Sequence, residues 1–271
     1  MSRIGPCFEA LQRAGRKALI PYVAAGDPEP AATLPLLRTL VAGGADIIEL
    51  GVPFTDPIAD GPVIQAACER ALAHGVHLGQ VLEMVRGFRE DNDTTPIVLM
   101  GYLNPILAMG VERFAGEARD AGVDGVLVVD LPPEEADEVN DTLRSHGLDP
   151  IYLVAPTTTE ERTARICNAS AGFLYYVSLR GVTGADTLDI DEIAKRVHGL
   201  RTLTPTPVVV GFGIKDGTMA ERLGRAADGV VVGSALVRLI EGHANSVEQM
   251  TRAVAALMGE LRNGLDTAQA A

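Results

Sequence analysis

Short apolar runs alternate with amphipathic stretches along the whole chain. Eight of these runs have the length of a strand and are almost continuously apolar, which is typical of parallel strands covered on both faces. Helical patterns lie between them, and several end at a glycine that suits a helix C-terminus. The repeated order of strand and helix predicts parallel strands joined by helical crossovers. The runs are ALIPYVAA, ADIIELG, TPIVLMGY, DGVLVVDLP, DPIYLVAP, FLYYVSL, TPVVVGFG and DGVVVGSA.

The number of repeats and the chain length together predict the architecture. A chain of 271 residues has the usual size of one (β/α)8 barrel, so we expect an α/β fold with a single TIM-barrel domain over residues 1–271. Residues 3–14 predict an extra helix before the first strand, and residues 244–262 predict a closing helix. We expect the tail after about Gly264 to be disordered. The long connection between the second and third runs predicts an inserted helical segment after strand 2.

Two connections are longer than α/β units normally need. The segment TDPIADGPVIQ follows the second run, and LRGVTGADTLDI follows the sixth. Long loops in a compact barrel are usually functional. Both segments follow strands, so both lie at the C-terminal face, where barrel enzymes build their sites.

Glu49 is a carboxylate inside an otherwise apolar strand. Alternate side chains of a strand point to opposite faces, so Glu49 shares a face with Ile47 and opposes Ile48 and Leu50. Because the helix-covered face favours apolar residues, we expect Glu49 to point into the barrel mouth. Partial desolvation there raises the pKa of a carboxyl group and allows proton exchange near neutral pH. The alternative is a structural Glu bonded to a neighbouring tyrosine or backbone amide.

Three aspartates in turns are further candidates. Proline favours the first helical position, so the cap of the helix after Asp60 falls on Gly61, which leaves Asp60 free for a functional role or for a solvated turn. Asp56 precedes a proline and has the features of a turn opener. Asp130 is expected to cap a helix that begins at residues 132–133.

The last two strands run into glycine-rich turns, GFGIKDG and VVGSALVRLI. In barrels, the loops after strands seven and eight often bind phosphate. The backbone amides of Gly213, Gly233 and Ser234 could cradle a phosphate at a helix N-terminus. Ordinary strand-to-helix turn chemistry is the alternative interpretation.

The positions of the histidines, lysines and tyrosines limit the kinds of chemistry that the site can perform. The five histidines lie in or beside predicted helices, so no metal site is expected at the barrel mouth. None of the three lysines lies inside a predicted strand, where a Schiff-base amine would normally be placed. Three tyrosines near strand ends either line the pocket or belong to the core, namely Tyr22, Tyr102 and Tyr175.

Composition argues against several classes of partner. A net charge of −13 repels nucleic acid and anionic membranes. The three cysteines are far apart, which indicates neither a disulfide framework nor a zinc cluster and fits a reducing, cytoplasmic location. No apolar run approaches the roughly 20 residues that span a bilayer, so no membrane association is expected.

Six motifs in order resemble those of tryptophan synthase alpha subunits, from about Phe8 to about Leu261: ELGVPFTDPIADGP, PIVLMGYLNPI, VLVVDLPPEE, YYVSLRGVTGA, VVVGFGI and VVVGSALV. The resemblance implies a lyase that cleaves indole-3-glycerol phosphate to indole and D-glyceraldehyde 3-phosphate, without a metal or organic cofactor of its own. It also implies an α2β2 complex, in which a beta subunit containing pyridoxal phosphate takes up the indole. Asp56, Pro57 and the loop 104–105 would face that partner.

The same resemblance implies roles for individual residues. Glu49 would be the general acid and base, and Asp60 would accept a hydrogen bond from the indole N–H. Thr183 would lie in a mobile loop that closes over the site and meets Asp60. The phosphate would be bound by Gly184, Gly213, Gly233 and Ser234. The indole pocket would be formed by Tyr22, Met100, Leu127, Leu153, Tyr175 and Phe212.

Two other classes of protein remain compatible with the barrel pattern. An isomerase or aldolase acting on a sugar phosphate would keep the phosphate cradle and Glu49, but it would not need Asp60. A barrel that binds a ligand and activates a partner without turnover would need neither carboxylate for chemistry. A free-standing lyase that releases indole without a beta subunit is a variant of the tryptophan synthase interpretation.

Overall fold

All eight apolar runs contain a strand. The structure is a computed structural model, and it describes residues 1–177, 190–211 and 213–268. The strands are β1 Ala18–Ala24, β2 Ile48–Gly51, β3 Ile97–Gly101, β4 Gly125–Val128, β5 Asp149–Val154, β6 Leu174–Val177, β7 Val208–Gly211 and β8 Gly229–Val232. Neighbouring strands pair in parallel and in chain order, and β8 pairs with β1 to close the barrel. The predicted α/β barrel fold is confirmed.

Helices surround the barrel. Those in the described ranges are α1 Ile4–Arg13, α2 Thr33–Ala42, α3 Pro62–Ala73, α4 Leu78–Arg89, α5 Leu103–Met109, α6 Val111–Ala121, α7 Asp137–Ser145, α8 Glu160–Ala169, α9 Ile190–Leu203, α10 Gly217–Gly224, α11 Ser234–Gly242 and α12 Val247–Thr267. A 3-10 helix, Pro30–Ala32, precedes α2. None of these helices is long and apolar enough to cross a membrane.

The connections after β2 and β3 contain more helix than one crossover requires. Helices α3 and α4 form the inserted segment that the sequence predicts after strand 2. Helix α5 was not predicted, because residues 104–105 were interpreted as a loop. Pro105 lies in the first turn of α5, where the missing N–H of proline costs no helical hydrogen bond.

Side chains alternate between two cores, one inside the barrel and one between strands and helices. Ile47 and Val98 belong to the inner core, whereas Ile48 and Leu50 belong to the outer core. Helix α1, which the sequence predicts, contributes Phe8 to the inner core and so closes one end of the barrel. The other end is therefore available for a site.

The closing helix is longer than the sequence predicts. We expected disorder after about Gly264, but α12 continues to Thr267 and Leu265 is fully buried. A β-carbon at Gly264 would lie 2.7 Å from the carbonyl carbon of Gly217, so this glycine permits close packing of α12 against α10 and does not end the helix. Burial of one Leu side chain contributes roughly 1.5–3 kcal/mol, enough to hold another turn.

Candidate active site at the carboxyl end of the barrel

Glu49 lies on the inner face of β2, as the alternation of side chains predicts. The residue is only 1% exposed, and its Oε1 atom has no hydrogen-bond partner within the described residues. Burial, and to a smaller extent the charge of Asp60, raises the pKa of Glu49 from 4.5 to about 8. A carboxyl group in this state holds its proton near neutral pH and can both donate and recover it.

Two tyrosines flank Glu49, and each lies over a glycine. A β-carbon at Gly51 would lie 2.7 Å from Tyr22 Cζ, and one at Gly211 would lie 2.6 Å from Tyr175 Cζ. Burial raises the pKa of both tyrosines, and the charge of Glu49 adds to both shifts. The two glycines therefore provide space for aromatic rings at the level of the buried carboxyl group.

Asp60 lies at the end of the loop between β2 and α3. Tyr102 Oη donates a hydrogen bond of 2.9 Å to Asp60 Oδ2. Burial raises the pKa of Asp60, and the hydrogen bond from Tyr102 opposes that shift. Gly61, not Asp60, is the N-cap residue of α3, as Pro62 in the first turn predicts. The Asp60 carboxylate is thus free of a capping role.

Glu49 and Asp60 are electrostatically coupled across the barrel mouth. The charge of Asp60 raises the pKa of Glu49, which favours a state with one neutral and one ionised carboxyl group. The Tyr102 hydrogen bond stabilises the ionised form of Asp60. Such a pair can move a proton with one member and stabilise positive charge with the other.

The glycine-rich turn after β8 forms a helix N-terminus. Gly233 is the N-cap residue of α11, and Ser234 is its first residue. A β-carbon at Gly233 would lie 3.5 Å from the Tyr22 Cβ atom, so this turn adjoins the tyrosine beside Glu49. Gly213, after β7, has a φ of 70°, a conformation that favours glycine. Free backbone amides at a helix N-terminus attract anions.

Three of the other predicted pocket residues line the barrel interior. Leu127 is buried in the inner core, and Leu153 packs against it. Met100 contacts both the inner core and the cluster around Tyr22. The remaining predicted site residues, Thr183, Gly184 and Phe212, lie outside the described residues.

Asp130 corrects one expectation. It does not cap a helix at 132–133, because α7 begins only at Asp137. Asp130 Oδ1 instead accepts a hydrogen bond of 2.8 Å from the backbone N–H of Leu103, the first residue of α5. The carboxylate thus satisfies a free amide of a helix in the preceding βα unit, a contact that local sequence does not reveal.

The contacts of two residues near Asp60 were not predicted from the sequence. Tyr102 was expected only to line a pocket or to belong to the core. Gln65 was not singled out, yet its Nε2 atom donates to the carbonyl oxygens of Pro57 at 3.2 Å and Asp60 at 2.9 Å. A long amide in the first turn of a helix that follows a functional loop is the only signal that the sequence offers for Gln65.

The comparisons with known proteins decide between the candidate barrel enzymes. The family model described as tryptophan synthase alpha chain matches residues 8–266. The chain belongs to the tryptophan synthase alpha chain family. It is 60% identical to the tryptophan synthase alpha chain of Thioalkalivibrio sulfidiphilus over 266 residues, which cover 98% of this chain and 100% of the relative. It is 57% identical to that of Marinobacter nauticus, with 98% of this chain and 99% of the relative covered.

Solved structures show the same relationship. The tryptophan synthase subunit alpha of Legionella pneumophila superimposes with a TM-score of 0.93 at 45% identity, covering 98% of this chain and 99% of that one. A chain of the aminoacrylate-bound tryptophan synthase of M. tuberculosis gives 0.86 at 36% identity, covering 98% and 100%. The chain is therefore a lyase that catalyses the alpha reaction of tryptophan biosynthesis, and the family membership predicted from the motifs is confirmed.

Proposed function

We propose that Glu49 and Asp60 carry out the alpha reaction, the retro-aldol cleavage of indole-3-glycerol phosphate to indole and D-glyceraldehyde 3-phosphate. The observation that carries this proposal is the buried Glu49. Its pKa is raised to about 8 by burial and by the charge of a second carboxyl group, that of Asp60. A cleavage of this type needs one group that exchanges protons and one that stabilises positive charge on the ring nitrogen.

Each proton in the reaction has a donor and an acceptor. Neutral Glu49 donates its proton to the indole ring carbon that bears the side chain, and the ring nitrogen becomes positively charged. The Asp60 carboxylate accepts the hydrogen bond of the ring N–H and stabilises that charge. Glu49, now ionised, removes the proton of the adjacent hydroxyl group as the carbon–carbon bond breaks. The bond electrons return to the ring, and Glu49 ends the cycle protonated.

Neutral backbone groups would hold the substrate phosphate. The amides of Gly213, Gly233 and Ser234 lie at the same end of the barrel as the carboxyl pair, and the N-terminus of α11 adds a partial positive charge. Gly184 and Thr183 would complete this end of the site by family resemblance. Binding through amides explains how a chain of net charge −13 can take an anionic substrate without an arginine clamp.

The beta subunit would dock on the surface formed by the loop after β2 and by helix α5. Two large apolar side chains on this surface are exposed, Ile58 at 84% and Leu107 at 54%. They adjoin Asp56, Pro57 and residues 104–105, which family resemblance places opposite the partner. Exposed apolar side chains of this size favour burial in an interface. We propose an α2β2 assembly in which pyridoxal phosphate belongs to the beta subunit and this chain needs no cofactor.

The cellular setting and the domain organisation belong to the same proposal. Cys7, Cys68 and Cys167 are free thiols, which fits a reducing cytoplasm. One barrel domain over residues 1–271 would supply the whole site. No group of three or more His, Cys, Asp or Glu side chains within the described part of the chain has the geometry to hold a metal ion.

Indole release from indole-3-glycerol phosphate tests the proposal. The assay compares wild type with Glu49→Gln, each with and without the beta subunit, and uses Glu9→Gln on α1 as a matched control far from the site. We expect release by wild type and by the control, faster with the partner, and no release by Glu49→Gln. Equal rates for Glu49→Gln and wild type would refute the role of Glu49. Silence of the wild type in a complex that it demonstrably forms would refute the proposed reaction.

A further inference from the structure

Tyr102 connects helix α5 to the carboxylate of Asp60. It follows β3 directly, is the N-cap residue of α5 and is 4% exposed. Its ring stacks on Phe54, with the two centroids 5.1 Å apart and the planes inclined by 29°. The position of the ring is therefore fixed on both sides, by the start of a helix and by an aromatic neighbour.

The hydroxyl group of Tyr102 has a defined direction. Ala59 N donates a hydrogen bond of 3.0 Å to Tyr102 Oη, so the single hydroxyl proton is available for Asp60 Oδ2 at 2.9 Å. A phenol has one proton to donate, and both of its hydrogen bonds are satisfied in this arrangement. The arrangement leaves Asp60 Oδ1 without a bond from Tyr102.

The backbone of the same loop is held by other groups. The side-chain amide of Gln65 donates to the carbonyl oxygens of Pro57 and Asp60. Gly61 and the first turn of α3 hold the next residues. Removal of the Tyr102 hydroxyl should therefore free the Asp60 carboxylate and the Ala59 N–H, while the loop backbone keeps both hydrogen bonds from Gln65.

We propose that Tyr102 is a positioning residue for the alpha reaction, whose hydroxyl group holds Oδ2 of Asp60 so that Oδ1 faces the substrate N–H. This inference rests on the proposed role of Asp60. The hydroxyl group of Tyr102 contributes in two ways: it orients the Asp60 carboxylate, and it stabilises the ionised form of that carboxylate. Both contributions are absent when only the oxygen atom of Tyr102 is removed.

The charge state of Asp60 is set by a small group of neighbours. Burial raises its pKa, and the Tyr102 hydrogen bond lowers it. Its charge in turn raises the pKa of Glu49 on β2, of Tyr22 on β1 and of Cys68 on α3. The thiol and the phenols stay neutral through the acid range, because the pKa of Cys68 is about 11 and those of Tyr22 and Tyr102 are raised from 10.0. Loss of the hydroxyl group must therefore raise the pKa of Asp60.

The test compares Tyr102→Phe with the matched control Tyr152→Phe in the complex with the beta subunit. Tyr152 is also buried, in the outer core, and its hydroxyl group donates a hydrogen bond of 3.0 Å to Asn140 Oδ1. For Tyr102→Phe we expect kcat/KM to fall about tenfold, the usual effect of losing a hydrogen bond to a charged group, and the acid limb of its pH profile to move to higher pH. The control should keep the wild-type profile. In addition, 3-fluorotyrosine at position 102, a stronger donor, should move the acid limb to lower pH.

Two further measurements separate this inference from the role of Asp60 itself. The first is the pKa of Asp60 by carbon-13 NMR in the full-length chain, which should be higher in Tyr102→Phe than in wild type; an unchanged pKa would overturn the inference. The second is indole release by Asp60→Asn. Wild-type release by Asp60→Asn would overturn the proposed role of Asp60, whereas loss of release combined with a wild-type pH profile in Tyr102→Phe would overturn only the role of Tyr102.

Discussion

The ring of Tyr22 crosses directly over Gly51, two residues beyond Glu49 on the inner face of β2. A β-carbon at Gly51 would lie 2.7 Å from Tyr22 Cζ and 2.9 Å from Cε2. Real β-carbons do not approach other atoms this closely, so the tyrosine occupies space that only glycine leaves open. The shape of the barrel mouth beside Glu49 thus depends on the absence of a side chain.

Gly51→Ala should displace Tyr22 and lower kcat/KM for the alpha reaction at least tenfold. Overpacking of this kind also costs about 1–3 kcal/mol of stability. Steady-state kinetics and urea unfolding check both effects. The control is Gly259→Ala on α12, where a β-carbon meets no atom within 4 Å and should stabilise the helix by about 0.5–1 kcal/mol. Wild-type kcat/KM in Gly51→Ala would show that Tyr22 can move without consequence.

Glu49→Gln should change the pH dependence of stability. Between pH 4.5 and about 8 the folded chain keeps the Glu49 proton that the unfolded chain has lost, so this group makes the wild type less stable as the pH rises through that window. Glutamine removes the effect. We expect the variant to gain stability relative to wild type, by up to a few kcal/mol, as the pH rises from 4.5 to about 8. Urea unfolding at several pH values checks this, and a constant difference would contradict the raised pKa.

Arg70→Met should destabilise the chain through Asp27. The Asp27 side chain is fully buried, and Arg70 donates to both of its oxygens, at 2.7 and 3.1 Å. Removal of the cation leaves a buried carboxylate unpaired, which costs about 3 kcal/mol. Burial already raises the pKa of Asp27 against the effect of Arg70, so the variant raises it further. The loss should therefore be largest at neutral pH and shrink as Asp27 becomes protonated in acid.

Arg252→Met provides the matched control for Arg70→Met. Arg252 pairs with Glu248 one helical turn away, and both side chains are largely exposed, at 76% and 81%. Such surface pairs contribute about 0–1 kcal/mol, so urea unfolding should detect little change. Equal losses in the two variants would contradict the special position of the Asp27 pair.

Local chain rules explain which features could be predicted from sequence. The barrel follows from continuous apolar runs, because strands covered on both faces need apolar residues throughout. The inward direction of Glu49 follows from its alternation with Ile48 and Leu50. The cap at Gly61 follows from the preference of Pro62 for the first turn of a helix.

The features that were missed depend on contacts between different βα units. Asp130 was expected to cap a helix in its own segment. Its carboxylate instead accepts a hydrogen bond from the backbone N–H of Leu103 in the neighbouring βα unit. Glycine is common at helix ends, but Gly264 packs closely against Gly217 on α10 and lies within α12. The bond between Tyr102 and Asp60 joins loops that are 42 residues apart. Periodicity and turn chemistry carry no information on such distant pairs.

Leu107→Asp should weaken binding of the beta subunit at least tenfold. Leu107 lies on α5 and is 54% exposed, and Tyr102 at the start of α5 accepts a hydrogen bond from Ala59 N in the loop that contains Ile58. A charge in the centre of an apolar interface is costly to desolvate, whereas the same charge on the free subunit is solvated. Calorimetric titration with the beta subunit measures the loss. Leu203→Asp is the matched control, because Leu203 is 52% exposed at the end of α9, and α9 runs away from the carboxyl end of the barrel. Equal binding by both variants would place the partner on another surface.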